Sequence, residues 1–179
     1  MIKKGIILLV SILIQNSFCY SQNSNTYDTI SFYDLKFNGN NLHTNLKNIK
    51  KYIDDSKTKS RVFPGEYANV PFKKFNKTDN IYTIYSEFFD FSYKENSNLI
   101  YIRRIKVCDK IKISIKTIKL TKNLKTQDFK KNFPNTNKSD DDEYQFKIVV
   151  VKENKKAYLS FNFKNDKLCD IMLENYQED

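Results

Sequence analysis

The chain has 179 residues, 40% of them hydrophobic and 15% aromatic, a composition that excludes intrinsic disorder and suffices for one packed domain without structural metals. Its formal net charge of +10 favours acidic surfaces, while its general wealth of Lys, Asn and Ile spreads much of that lysine over solvated faces. One His and three Gly exclude glycine-rich phosphate loops and the Gly-x-Ser-x-Gly elbow, and leave any His-based triad or zinc site a single candidate, His43.

Residues 1–21 read as a cleavable secretory signal. Met1-Ile2-Lys3-Lys4-Gly5 is a charged start, and the apolar run from Ile6 to Ile14 is closed early by Gln15 and Asn16. A bilayer span takes about twenty apolar residues, so the run is too short to be transmembrane. Ser17 with Cys19, or Cys19 with Ser21, supply the small residues for cleavage between Cys19 and Asn23. Cys19 adds lipid attachment as an alternative, disfavoured by the bulk of Phe18. The expectation is an exported protein, periplasmic or secreted, which without Lys3 and Lys4 keeps a charge of +8.

Residues 22–29 form a polar lead-in. Ile30 to Phe37 reads as a strand ending at the turn Asn38-Gly39-Asn40. Leu42, Leu46, Ile49 and Ile53 then recur at spacings of four, three and four, which predicts an amphipathic helix capped by Thr44 and ending near Asp54. Residues 55–80, with Pro64-Gly65 and Pro71 and no period, read as a long loop holding at most a short irregular strand. Ile81 to Tyr93 and Leu99 to Val107 are strands joined by a turn at Glu95-Asn98. Ile111, Ile113 and Ile115 alternate with lysines, and the change of parity at Thr117 predicts a bulge or a strand break.

A second helix is carried by Phe129 and Phe133 and stopped by Pro134. The acidic run Ser139 to Glu143 lacks the alternate-residue spacing and the glycine of a calcium loop. Strands follow at Tyr144 to Val150, Tyr158 to Phe163 and Leu168 to Leu173. Asn123-Leu124-Lys125-Thr126 matches Asn41-Leu42-His43-Thr44, and Lys167-Leu168-Cys169-Asp170 matches Lys106-Val107-Cys108-Asp109. The two matches in the same order predict a tandem duplication, residues 30–108 and 109–175, within one globular domain. The predicted class is α+β: an antiparallel sheet with two helices packed on one face, built from two strand-helix-meander repeats.

Cys108 and Cys169, at equivalent positions of the two halves, are candidates for a disulfide in an oxidising compartment, or for two thiols packing as small hydrophobes. Arg103, Arg104, Lys110, Lys112 and Lys116 are the candidate basic face. Interleaved aromatic rings would let it hold an anionic glycan, less readily nucleic acid, and the alternative is that these lysines guard a sheet edge. No catalytic, cofactor or metal residue is singled out, and no cofactor is expected.

The element order, with Asn-Leu-x-Thr before each predicted helix, the Phe133-Pro134 stop and the turn from Phe163 to Leu168, resembles the beta-lactamase-inhibitor-protein-like and small outer-membrane-assembly lipoprotein (SmpA/OmlA) plans. In style it is similar to secreted proteins of Bacteroidetes. The resemblance implies a concave sheet that binds other proteins and no catalytic residues to carry over. The function expected is a non-enzymatic interaction module with a protein partner in the cell envelope. The alternatives are a small secreted hydrolase using two carboxylates, and a binder of anionic polymers.

Overall fold

The computed structural model describes residues 27–138 and 146–176. The expected signal at 1–21, most of the lead-in and the acidic run at 139–143 lie outside the described residues. In chain order the elements are β1 (Thr29–Ser31), β2 (Leu35–Phe37), β3 (His43–Asn45), β4 (Lys59–Pro64), β5 (Asn80–Tyr85), β6 (Phe89–Lys94) and β7 (Leu99–Lys106). They continue with β8 (Ile113–Ile115), β9 (Ile118–Leu120), α1 (Thr126–Asn132), β10 (Asn137–Lys138), β11 (Phe146–Lys152), β12 (Lys155–Lys164) and β13 (Lys167–Asn175).

This corrects the expected α+β class. Among the described residues the molecule is mostly strand, 50% against 15% helical, with one α-helix rather than two packed on one face. The stretch read as the first helix is β3 followed by single 3-10 turns at Leu46–Asn48 and Lys50–Tyr52. Asn45 accepts from the Lys47 amide, and Asn48 donates to the Thr44 hydroxyl at 2.7 Å, local bonds that compete with the α-helical ladder. The Ile49 amide then reaches the Leu46 carbonyl and the Tyr52 amide the Ile49 carbonyl. Leu46, Ile49 and Tyr52 are thereby stacked with a period of three, and Ile49 is fully buried. Thr44, expected as a helix cap, sits buried in β3. With no α-helix between Leu42 and Asp54, the first half does not repeat the strand-helix-meander order of the second.

A ten-stranded sheet follows the path β1-β11-β12-β13-β7-β6-β5-β4, with β10 also on β11 and β3 also on β7. It is mixed, because β1 lies parallel to β11, with Thr29 opposite Val149 and Ser31 opposite Val151. Two meanders, β4 to β7 and β11 to β13, join through their last strands, where Met172 faces Arg104 and Asp170 faces Lys106. The strand predicted from Ile30 to Phe37 is interrupted: a 3-10 turn at Phe32–Asp34 sends its first part to the large sheet and its second to a small sheet, β2-β8-β9. The parity change at Thr117 marks a reversal, since β8 and β9 form a hairpin whose turn residue Lys116 has a φ of 52°.

The small sheet and α1 cover one face of the large sheet, and one core lies between them. Leu35, Phe37, Ile113, Ile115 and Leu120 meet Phe89, Phe91, Ile102 and Ile105, while Phe129 and Phe133 meet Phe161 and Phe163. Phe129 centres an aromatic cluster, its ring 4.5 Å from Phe161 and 5.0 Å from Phe133. Burying a phenyl ring of this kind is worth about 1.5–3 kcal/mol, so this contact fixes α1 on the sheet. Pro134 ends the helix where the sequence placed its stop.

A basic aromatic cleft as the candidate functional site

The long segment predicted as a loop at 55–80 carries β4, a six-residue strand paired in unbroken register with β5, and then a fold-back that crosses the sheet. Gly65 turns the chain after Pro64. It is buried, and a Cβ there would collide with the Asn76 backbone carbonyl, so the two arms of the fold-back meet at a glycine. Val70 bridges to Lys73, and Phe72 takes a positive φ of 62°. Its ring lies 5.4 Å from Phe32, and Phe75 stands edge-on to Tyr101 at 5.6 Å. Lys94 anchors the far end through Asp79 at 2.7 Å, and this hydrogen bond holds the Asp79 carboxyl below its ordinary range.

Between this fold-back, the β11–β12 turn and the end of β13 lies a cleft of about 850 Å³. Lys73 and Lys74 line it from one side and Lys155 and Lys156 from the other, with Phe72, Phe75 and Tyr176 contributing rings. Lys73 lies 5.5 Å from the Phe75 ring centre and Lys156 lies 5.3 Å from that of Tyr176. Glu66 is the carboxylate in the lining, and it is paired with Lys77 at 3.7 Å. Asn175 donates to the side-chain oxygen of Asn69 and ties the fold-back to β13. Tyr176 in turn packs on Tyr158 at 4.7 Å, and Tyr27 packs on the same ring at 5.4 Å. Burial of this tyrosine group holds the Tyr158 phenol protonated far above its ordinary range.

Beneath the fold-back, the one histidine is enclosed by Phe32 and Tyr101 at ring distances of 4.6 and 4.8 Å. Lys152 Nζ lies 3.0 Å from His43 Nδ1. An ammonium only donates, so Nδ1 accepts and the ring proton sits on Nε2, where the Pro71 carbonyl is the acceptor. Burial first, and the Lys152 charge second, push His43 down to about 4. Lys152 is itself lowered by burial, with further repulsion from Lys155 and Lys73. His43 is thus a neutral acceptor that orients Lys152.

The basic face expected from the sequence does not assemble. Arg104 is spent inside the sheet: its Nε and Nη2 reach Asp90 at 2.8 and 2.9 Å, and its Nη1 reaches Asp170 at 3.0 Å. These carboxylates raise its pKa further. Arg103 occupies the irregular step in β7 opposite Asp90, and its Nε is buried without a hydrogen bond among the described residues. Lys110 and Lys112 precede β8, Lys110 lying near Phe88, and Lys116 sits in the hairpin turn 3.8 Å from Asp34. The reason is topological: β7 belongs to the large sheet and β8 to the small one, so the arginines and the lysines are not carried on neighbouring strands.

Cys108 and Cys169 lie close along the chain paths, since the Val107 amide donates to the Cys169 carbonyl at 2.7 Å, yet both are free thiols. Val107 is the residue opposite Cys169, and neighbouring side chains along a strand project to opposite faces, which parts the two sulfurs. Asp90 and Asp170 converge as a carboxylate pair would in a hydrolase, but the Arg104 fork occupies the space between them. Among the described residues no group of His, Cys, Asp and Glu is arranged to hold a metal ion, and no helix is long and apolar enough to cross a membrane.

Sequence reasoning missed the cleft lysines. Lys73-Lys74 and Lys155-Lys156 are visible as pairs beside aromatic residues, but Lys50-Lys51 and Lys130-Lys131 look the same, and only the fold brings the first two pairs together. Family models, curated proteins and solved structures return no match to this chain.

Proposed function

We propose that this is an exported, non-enzymatic binding protein that holds an anionic ligand, an acidic glycan being the foremost class, in the basic aromatic cleft. The observation that carries this reading is the convergence of two lysine pairs from separate parts of the chain around a cleft walled by Phe72, Phe75 and Tyr176. Lysine ammoniums attract carboxylate or sulfate as point charges, and the rings offer apolar faces to the CH surfaces of a sugar. The one carboxylate in the lining, Glu66, stands against four lysines and has Lys77 at 3.7 Å as its partner. A hydrolase is the weaker reading, because the converging carboxylates Asp90 and Asp170 are held by Arg104 away from the cleft lining.

The test is retention on immobilised heparin, used as a generic acidic glycan. The unaltered protein is expected to be retained and to elute earlier as salt rises. K73E/K74E and K155E/K156E are each expected to weaken retention at least tenfold, whereas K119E/K164E, which makes the same change of charge elsewhere, should weaken it far less. Equal losses in all three would reduce the attraction to overall charge and end the proposal.

A further inference from the structure

The outer edge of β4 lies apart from the cleft lining and has no strand beside it among the described residues. β4 is the terminal strand of the large sheet and pairs only with β5 among the described residues. Its six residues span about 20 Å. Lys59, Ser60, Arg61 and Val62 are all exposed, so neither face of the strand is covered and its outer amides and carbonyls meet solvent. Along it the side chains alternate. Lys59 and Arg61 share one face with Tyr85, which is opposite Lys59, and these residues with Ser60 border a second, open hollow of about 560 Å³. Val62, 52% exposed, lies on the other face opposite Tyr82.

We infer that this edge docks an extended acidic segment of a partner protein, added as an eleventh strand. A strand laid beside β4 sets its own alternate side chains next to Lys59 and Arg61 on one face and next to Val62 on the other. The complementary pattern is therefore acidic-apolar alternation, Glu-Val-Glu-Val in kind. Neither β4 nor the facing β5 carries a carboxylate that would repel it. A second copy of this chain is the poorer occupant, because β4 against β4 brings Lys59 and Arg61 beside the same residues of its twin. Pro64, which has no amide hydrogen, closes the ladder and confines docking to residues 59–63.

The experiment titrates the full chain with the labelled peptide Thr-Glu-Val-Glu-Val-Glu-Thr, reading fluorescence anisotropy and amide exchange. Binding at least tenfold tighter than that of Thr-Val-Val-Glu-Glu-Glu-Thr is expected, with new exchange protection at residues 59–63. K59E/R61E should lose at least tenfold, while the charge-matched K119E/K164E should bind as the unaltered protein does. Failure to bind, equal binding of the all-D peptide or the blocked sequence, or protection that appears around Lys155 instead of β4, would overturn the inference. The last two outcomes would show charge attraction only, with β4 guarded by its cations. None of these results bears on heparin retention by the cleft, so the two readings fail separately.

Discussion

Lys152 donates to Nδ1 of His43 across 3.0 Å, and burial in an aromatic enclosure, with the Lys152 charge second, keeps that imidazole neutral. His43 is pushed down to about 4 from an ordinary 6.5. Between these values the unfolded chain takes up a proton that the folded chain refuses, so stability is full above about pH 6.5 and falls as the pH drops towards 4. Below 4 both states are protonated at this site and it contributes no further loss. Thermal melts from pH 7 to pH 4 should show a decrease worth about 2 kcal/mol from this group, after allowance for solvent screening. H43Q, whose amide oxygen still accepts from Lys152 but does not titrate, is expected to flatten that slope.

The seam between the two meanders depends on Arg104. Replacing it with Met leaves Asp90 and Asp170 half-buried without their shared cation and should cost about 3 kcal/mol in urea denaturation. R104K should recover less than half, because one ammonium cannot reproduce a fork that serves two carboxylates. The triple variant D90N/R104M/D170N should be more stable than R104M, since the unpaired charges are then gone. A triple variant no more stable than R104M would show that Arg104 acts through packing alone.

Phe129 is fully buried and touches Phe133, Phe146, Phe161 and Phe163. F129A should cost about 3–5 kcal/mol and release α1 from the sheet, giving a loss of helical signal before the strands melt. The measurement is circular dichroism followed through a denaturant series.

G65A tests whether the fold-back shapes the cleft. The added methyl meets the Asn76 carbonyl, a backbone atom that cannot rotate aside, so residues 65–76 must shift. Retention on heparin should fall with a loss of stability of about 1–3 kcal/mol, whereas G39A, at a turn with open space around its Cα but a φ of 79°, should affect stability alone.

Alkylation without reductant, followed by peptide mapping, should modify both Cys108 and Cys169, as two separate thiols require. A mapped peptide pair joined through these residues would contradict the strand register around Val107.

Much of the strand content was readable because alternation and turn chemistry agreed. Asn165 and Asp166 both take positive φ in the turn between β12 and β13, as a tight hairpin turn demands, and the Phe129-Phe133-Pro134 pattern placed α1 within a residue or two. The first helix was misread because spacings of four, three and four match the α-helical period, although over so short a stretch 3-10 turns compete with an α-helix. The side-chain bonds of Asn45, Asn48 and Thr44 then decided between them. The basic face failed for a different reason. Alternation assigns a side chain to one side of its own strand, but not that strand to a sheet, and Arg104 lies in the large sheet while Lys112 precedes a strand of the small one. The cleft was hidden by the same limit, since Lys73 and Lys155 become neighbours only when the fold-back closes over the sheet.

The parallel pairing of β1 with β11 has a consequence for how the molecule is made. The start of the described chain is secured by late partners: Asp28 accepts from the Asn135 amide 107 positions away, and Thr29 waits for Val149. A ribosome releasing this polypeptide must pass Val151 before that end has its strand partner. Until then that end stays loose and open to passing chaperones, and renaturation after dilution from urea should be gated by this long closure rather than by the quick zipping of neighbouring hairpins.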